Sequence, residues 1–125
     1  MRMNLGLTAA LVAVFVCRAS GADALDQFSK GTYYLRVCKG FLSEPLKAVV
    51  SGEQGVCLGA VGTLMDASRL FASDLRFCVP AGATHDQAIK IVVSSLEAQP
   101  QRLNESFVEL ALEALGKAWP CKASQ

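Results

Sequence analysis

The sequence carries one histidine, His85, and no Cys-x-x-C pair. A catalytic cysteine needs a thiolate with a base beside it, and a lone imidazole cannot complete any familiar exported zinc site. Ser94-Ser95 lack the Gly-rich context of a nucleophile elbow. No charge of one sign dominates either, since the formal net charge is +1. That balance offers no nucleic-acid footprint and no polybasic patch for a membrane surface. Strand-like alternation, internal repeats and low-complexity tracts are also missing. These absences predict a protein that is not an enzyme, holds no cofactor or metal, and belongs to the all-α class.

What the sequence does have begins with an address. Arg2 is followed by a nearly unbroken apolar run from Leu5 to Val16, about 12 residues, which is short for a bilayer span and typical of a signal-peptide core. Small residues follow at Ala19-Ser20-Gly21-Ala22. The expectation is a signal peptide over 1–22 cleaved after Ala22, then a single domain over 23–125, with no membrane attachment once the leader is gone. Cleavage removes Cys17, the first of five cysteines, and leaves Cys38, Cys57, Cys78 and Cys121. Four is the even number expected of an exported, disulfide-paired domain, and it allows three connectivities. Losing Arg2 and Arg18 leaves ten basic against eleven acidic residues. A chain of roughly 100 residues buries only about 60–65% of its unfolded surface, so crosslinks matter.

Four helices are predicted. The first lies within Ala24–Gly40, its start left open by Gly31 and Thr32, with Phe28, Tyr33, Tyr34, Leu35 and Val37 giving its apolar face and Gly40 its stop. Leu42 to Gln54 is hard to read: Pro45 breaks it, Leu46–Val50 fits a short helix or a loop, and Gly52 and Gly55 punctuate. The second helix covers Val56–Ala72, its stripe Val56, Ala60, Leu64, Ala67 and Phe71. Gly59 and Gly62 within it suggest close approach of another helix. The third opens on a capping box, Thr84-His85-Asp86-Gln87, buries Ile89, Val92, Val93 and Leu96, and is stopped by Pro100. The fourth spans Asn104–Ala118, capped by Asn104, with Phe107, Leu110, Ala111, Ala114, Leu115 and Ala118 inward. Glu105, Glu109 and Glu113 then form an acidic stripe read as a solvated face, because single-file carboxylates do not make an acid/base pair in one cleft.

Three blocks carry a family likeness: Phe77-Cys78-Val79-Pro80-x-Gly82-x-Thr84-x-x-Gln87, Val92-Val93-x-x-Leu96-x-x-x-Pro100, and Ala111-Leu112-x-x-Ala114-Leu115-x-x-Ala118-Trp119-Pro120-Cys121. Together with Leu35-x-x-Cys38 and Cys57-x-Gly59 they resemble the Rap1a/Tai family, small exported immunity proteins of type VI secretion systems. The resemblance implies a periplasmic, disulfide-stapled helical protein that binds and blocks a peptidoglycan amidase effector, often as a homodimer. It also implicates the bend between the last two helices in partner binding, which by position is Gln99, Pro100, Gln101, Arg102, Asn104 and Glu105. Ser95 stands where the family often has tyrosine, and Gln99 where it often has histidine. An exported helical module for an apolar ligand, saposin-like or lipid-transfer-like, is the alternative.

Within this framework the pairing expected is Cys38–Cys57, joining the end of the first helix to the start of the second, and Cys78–Cys121, closing the second helical hairpin. Closing such loops contributes on the order of 3 and 4 kcal/mol in the chain-entropy account.

Overall fold

A computed structural model of the chain describes residues 23, 25–43 and 52–122. The leader expected at 1–22 and the ambiguous segment Leu46–Val50 lie outside the described residues. Among the described residues four α-helices form the body: α1 Gly31–Ser43, α2 Gly52–Ala67, α3 His85–Ala98 and α4 Phe107–Ala118. Single turns of 3₁₀ helix follow α2 at Ser68–Leu70 and α3 at Pro100–Arg102. Among the described residues the one β contact is an isolated antiparallel bridge between Lys30 and Ser106, so the all-α class holds.

α3 is the central element, packed against each of the other three helices. Its capping box forms as the sequence requires. The Thr84 hydroxyl accepts from the Gln87 backbone N–H at 3.3 Å, and the Gln87 side chain accepts from the Thr84 N–H at 3.0 Å. Ile89, Val92, Val93 and Leu96 are all buried, as the 3.6-residue period demands. They meet Leu110, Ala111, Ala114 and Leu115 of α4, Val37 and Phe41 of α1, and Val61, Leu64 and Met65 of α2 in one core. Phe77, outside any helix, is fully buried in that core, its ring 6.5 Å from both Phe71 and Trp119.

Three elements differ from expectation. α1 does not stop at Gly40 but continues to Ser43, because Phe41 is buried one position further on and Cys38 is crosslinked beside it. Tertiary packing outweighs the roughly 1 kcal/mol cost of a helical glycine. α2 begins at Gly52, four residues earlier than expected, and takes in Gly55. Its buried face is also turned by about one residue. Cys57, Val61, Leu64, Met65 and Ser68 face inward, whereas Val56 is exposed and Ala60 and Ala67 are half-buried. Apolar residues surround α2 on every side, so periodicity does not select a face. The Cys57 crosslink does. α4 begins at Phe107 rather than Asn104; Ser106 holds the cap position without a side-chain hydrogen bond, and Ala118 is exposed.

Candidate functional site

The two disulfides join Cys38 to Cys57 and Cys78 to Cys121, with Cα–Cα separations of 5.2 and 4.9 Å. Among the described residues every cysteine is therefore bonded, and none offers a thiolate. His85 sits in the first turn of α3 with its ring against Gly62. A Cβ at Gly62 would lie 3.2 Å from the imidazole Nε2. That close approach is by a side chain, and Gly59 faces open space, so only one of the two α2 glycines is needed for packing. Among the described residues no cluster of three or more His, Cys, Asp and Glu is placed to hold a metal.

The bend from Gln99 to Ser106 is the most heavily cross-braced surface feature among the described residues. Arg102 is its hub. The guanidinium donates to both Glu105 carboxylate oxygens at 2.7–3.0 Å, to both Glu113 oxygens at 2.8 and 2.9 Å, and to Gln99 Oε1 at 3.0 Å. Two-pronged arginine–carboxylate contacts fix orientation as well as distance. They hold the Glu105 and Glu113 carboxyls below the ordinary carboxylate range, and push the guanidinium further up. The acidic stripe expected along α4 is thus broken up. Glu105 lies outside the helix, Glu113 reaches back to the bend, and only Glu109 keeps the open position that the sequence suggested.

A second brace comes from the start of α1. The first backbone N–H groups of a helix have no partner inside it, and here they reach the bend. Gly31 N donates to Glu105 O at 3.1 Å and Thr32 N to Leu103 O at 2.8 Å, with the Thr32 hydroxyl on the same carbonyl at 3.0 Å. Phe107 N donates to Ser29 O at 2.8 Å. Gly31 eases this contact, since a Cβ there would stand 2.8 Å from Leu110 Cδ1 and 3.2 Å from Leu103 O and both would have to give way. Tyr34, one turn on, stacks on Phe107 with ring centroids 3.8 Å apart. Burial there pushes its hydroxyl above the usual range.

The six sequence-selected residues therefore divide by environment. Gln99, Arg102 and Glu105 are half-buried and spend their polar groups on one another, while Pro100, Gln101 and Asn104 are exposed. Gln99 Nε2 also donates to the Ser95 carbonyl and hydroxyl at 3.3 and 3.2 Å, so these two positions, both singled out in the sequence, touch each other. Sequence reasoning missed Gly31, Thr32 and Glu113. Arg102 three residues before Glu105 was a visible local pair, but nothing local connects Arg102 to Glu113 or to α1. Asn104 further lines a cavity of about 580 Å³ with Phe28, Tyr33 and Arg36.

Comparison with known proteins gives one result. A family model described as Rap1a immunity proteins matches residues 30–121, from the base of α1 to the last cysteine. No curated protein and no solved structure matches the chain.

Proposed function

The chain belongs to the Rap1a immunity protein family, and from that membership we propose that it is a periplasmic inhibitor of a peptidoglycan amidase delivered by a type VI secretion system. As a member of an immunity family its partner is a secreted effector protein. The proposed compartment rests on chemistry as well as likeness. Two disulfides in so small a body are expected where thiols are oxidised. Among the described residues no helix is long and apolar enough to cross a membrane, and the leader read at 1–22 would supply export.

The observation that carries the proposed mode of binding is the braced bend. A loop whose shape is already held loses little conformational entropy on docking. In this reading Gln99, Arg102 and Glu105 act as internal struts, and Pro100, Gln101 and Asn104 are the contacts offered to the amidase cleft. Inhibition is occlusion: the inhibitor supplies no catalytic group and blocks entry of the wall peptide. A homodimer belongs to the same proposal. The apolar-carrier alternative is disfavoured by the interior, where Phe77, Ile89, Leu96, Phe107 and Leu115 fill the space between helices that a lipid would need.

The test is co-expression of the partner amidase in the periplasm with and without this protein. Survival only with the protein present supports the reading; lysis in both cases removes it. The purified pair is expected to bind with a dissociation constant in or below roughly the nanomolar range. Replacing Pro100, Gln101 and Asn104 together should abolish binding without altering the thermal midpoint. Light scattering on the free protein checks the dimer.

A further inference from the structure

Resting on that reading, we propose a second contact surface: the trough along α3 and α4, from Ala98 at the bend to Trp119, receives an extended acidic segment of the effector. Two cavities of about 510 and 500 Å³ share Lys90 and Ile91, and so join into one trough. Its apolar residues include Pro80, Ile91, Ala98, Ala114 and Trp119. Among the described residues that line it there is no aspartate or glutamate, but there are two lysines, Lys90 and Lys117.

Four cations of the body are held in ion pairs, whereas Lys90 and Lys117, like Arg69, Arg76 and Lys122, form none among the described residues. Lys30, Arg36, Lys39 and Arg102 each have a carboxylate within 3.1 Å. Among the described residues neither Lys90 nor Lys117 forms an ion pair or a hydrogen bond. Glu113, one turn before Lys117, is the nearest obvious partner, yet its carboxylate is held from both sides by Arg102. The Arg102 clamp that shapes the bend thus takes the Glu113 hydrogen bonds, and Lys117 keeps only a through-space attraction to that carboxylate. The trough reaches the N-terminal turn of α3 at Ala83 and Gln87, where the helix dipole adds to the preference for anionic groups.

Dimensions select the ligand class. From Gln87 to Ala98 the α3 axis rises about 17 Å at ~1.5 Å per residue, which matches about five residues of extended peptide at ~3.3 Å each. Lys90 and Lys117 suit carboxylates on such a strand, and Ile91 and Ala114 suit an apolar residue between them. The exposed Ser94 hydroxyl on the same wall is free to pair with peptide backbone. The trough ends where the bend begins, so a bound strand would leave it directly into the cleft that the bend enters.

The probes are a synthetic peptide, Glu-Leu-Asp-Leu-Glu, its counterpart with lysine at the three acidic positions, and the partner amidase. Amide NMR of the isotope-labelled protein should show the acidic peptide shifting signals at Lys90, Ile91, Ser94 and Lys117, weakening as salt rises, with no response to the basic one. Lys90→Glu/Lys117→Glu should remove that response and weaken amidase binding by roughly tenfold or more, with a single cooperative thermal transition retained and only a small fall in its midpoint from the lost last-turn cation. No shifts, equal shifts with both peptides, or shifts away from the trough would overturn the proposal. Amidase binding that is indifferent to the double substitution would overturn it too while leaving the immunity reading intact. An amidase that never binds the unaltered protein removes the immunity reading and this assignment of the trough's occupant, even if the peptide binds.

Discussion

The two disulfides of this small body live in opposite surroundings. Cys38 and Cys57 are wholly inaccessible, in a core formed by α1, α2 and α3, whereas Cys78 is exposed and Cys121 half-buried at the ends of the α3–α4 hairpin. Sequence separations of 19 and 43 residues would rank the outer one higher on loop entropy, by about 1 kcal/mol. Burial reverses that ranking. The inner crosslink selects which face of α2 points inward and is itself packing material. The outer one ties a hairpin that already has a capping box, a filled apolar stripe and the Cys78 N–H to Trp119 carbonyl bond at 2.9 Å. A covalent bond's contribution therefore depends on what else already holds the elements it joins.

The sharpest way to break this comparison is to replace the inner pair. Cys38→Ser/Cys57→Ser removes about 3 kcal/mol of loop constraint and buries two hydroxyls at roughly 1–3 kcal/mol each. That sum matches the roughly 5–15 kcal/mol total stability of a domain. Far-UV circular dichroism on heating should show no cooperative transition. Next in size, Phe77→Ala should cost about 3–5 kcal/mol, read from the urea midpoint, because this side chain fastens the α3–α4 hairpin to the core more firmly than the adjoining Cys78 does. Cys78→Ser/Cys121→Ser should cost roughly 2–4 kcal/mol and keep a single cooperative transition, since the new hydroxyls meet water. Mild treatment with a dithiol followed by alkylation and mass spectrometry should label Cys78 and Cys121 well before Cys38 and Cys57. Equal labelling would erase the distinction between the two bonds.

The smallest effect is electrostatic. Glu105 and Glu113 have depressed carboxyl pKa values through their hydrogen bonds to Arg102. Their contribution is therefore present above the ordinary carboxylate pKa, and is lost as pH falls through the depressed one. Thermal midpoints measured downward from neutral pH should decline over that acid range, and Arg102→Ala should flatten this part of the profile. At neutral pH the same substitution should loosen the bend, seen as faster amide exchange at Leu103 and Glu105, with little change in global stability.

Legibility of the fold followed where the information was local. The α3 capping box and its stripe were readable because both depend on residues within a turn or two. The rotation of α2 was not, because its apolar residues point every way and a partner 19 residues distant in sequence sets the face. The end of α1 was misplaced at Gly40 for a similar reason: Phe41 is bound by other helices. At the bend, the position was visible from Pro100 and the family likeness. Its bracing was not, since Glu113, Gly31 and Thr32 come from distant points of the chain.

That bracing carries a consequence for how such a protein changes over generations. The contacts from Gly31 and Thr32 to the bend use main-chain atoms at Leu103 and Glu105, which persist whatever side chains the neighbours carry. Pro100, Gln101 and Asn104 are thereby released from any duty to maintain the loop's path. Under the proposed mode of binding, lineages facing an altered effector can rewrite those three letters and keep the same scaffold beneath them.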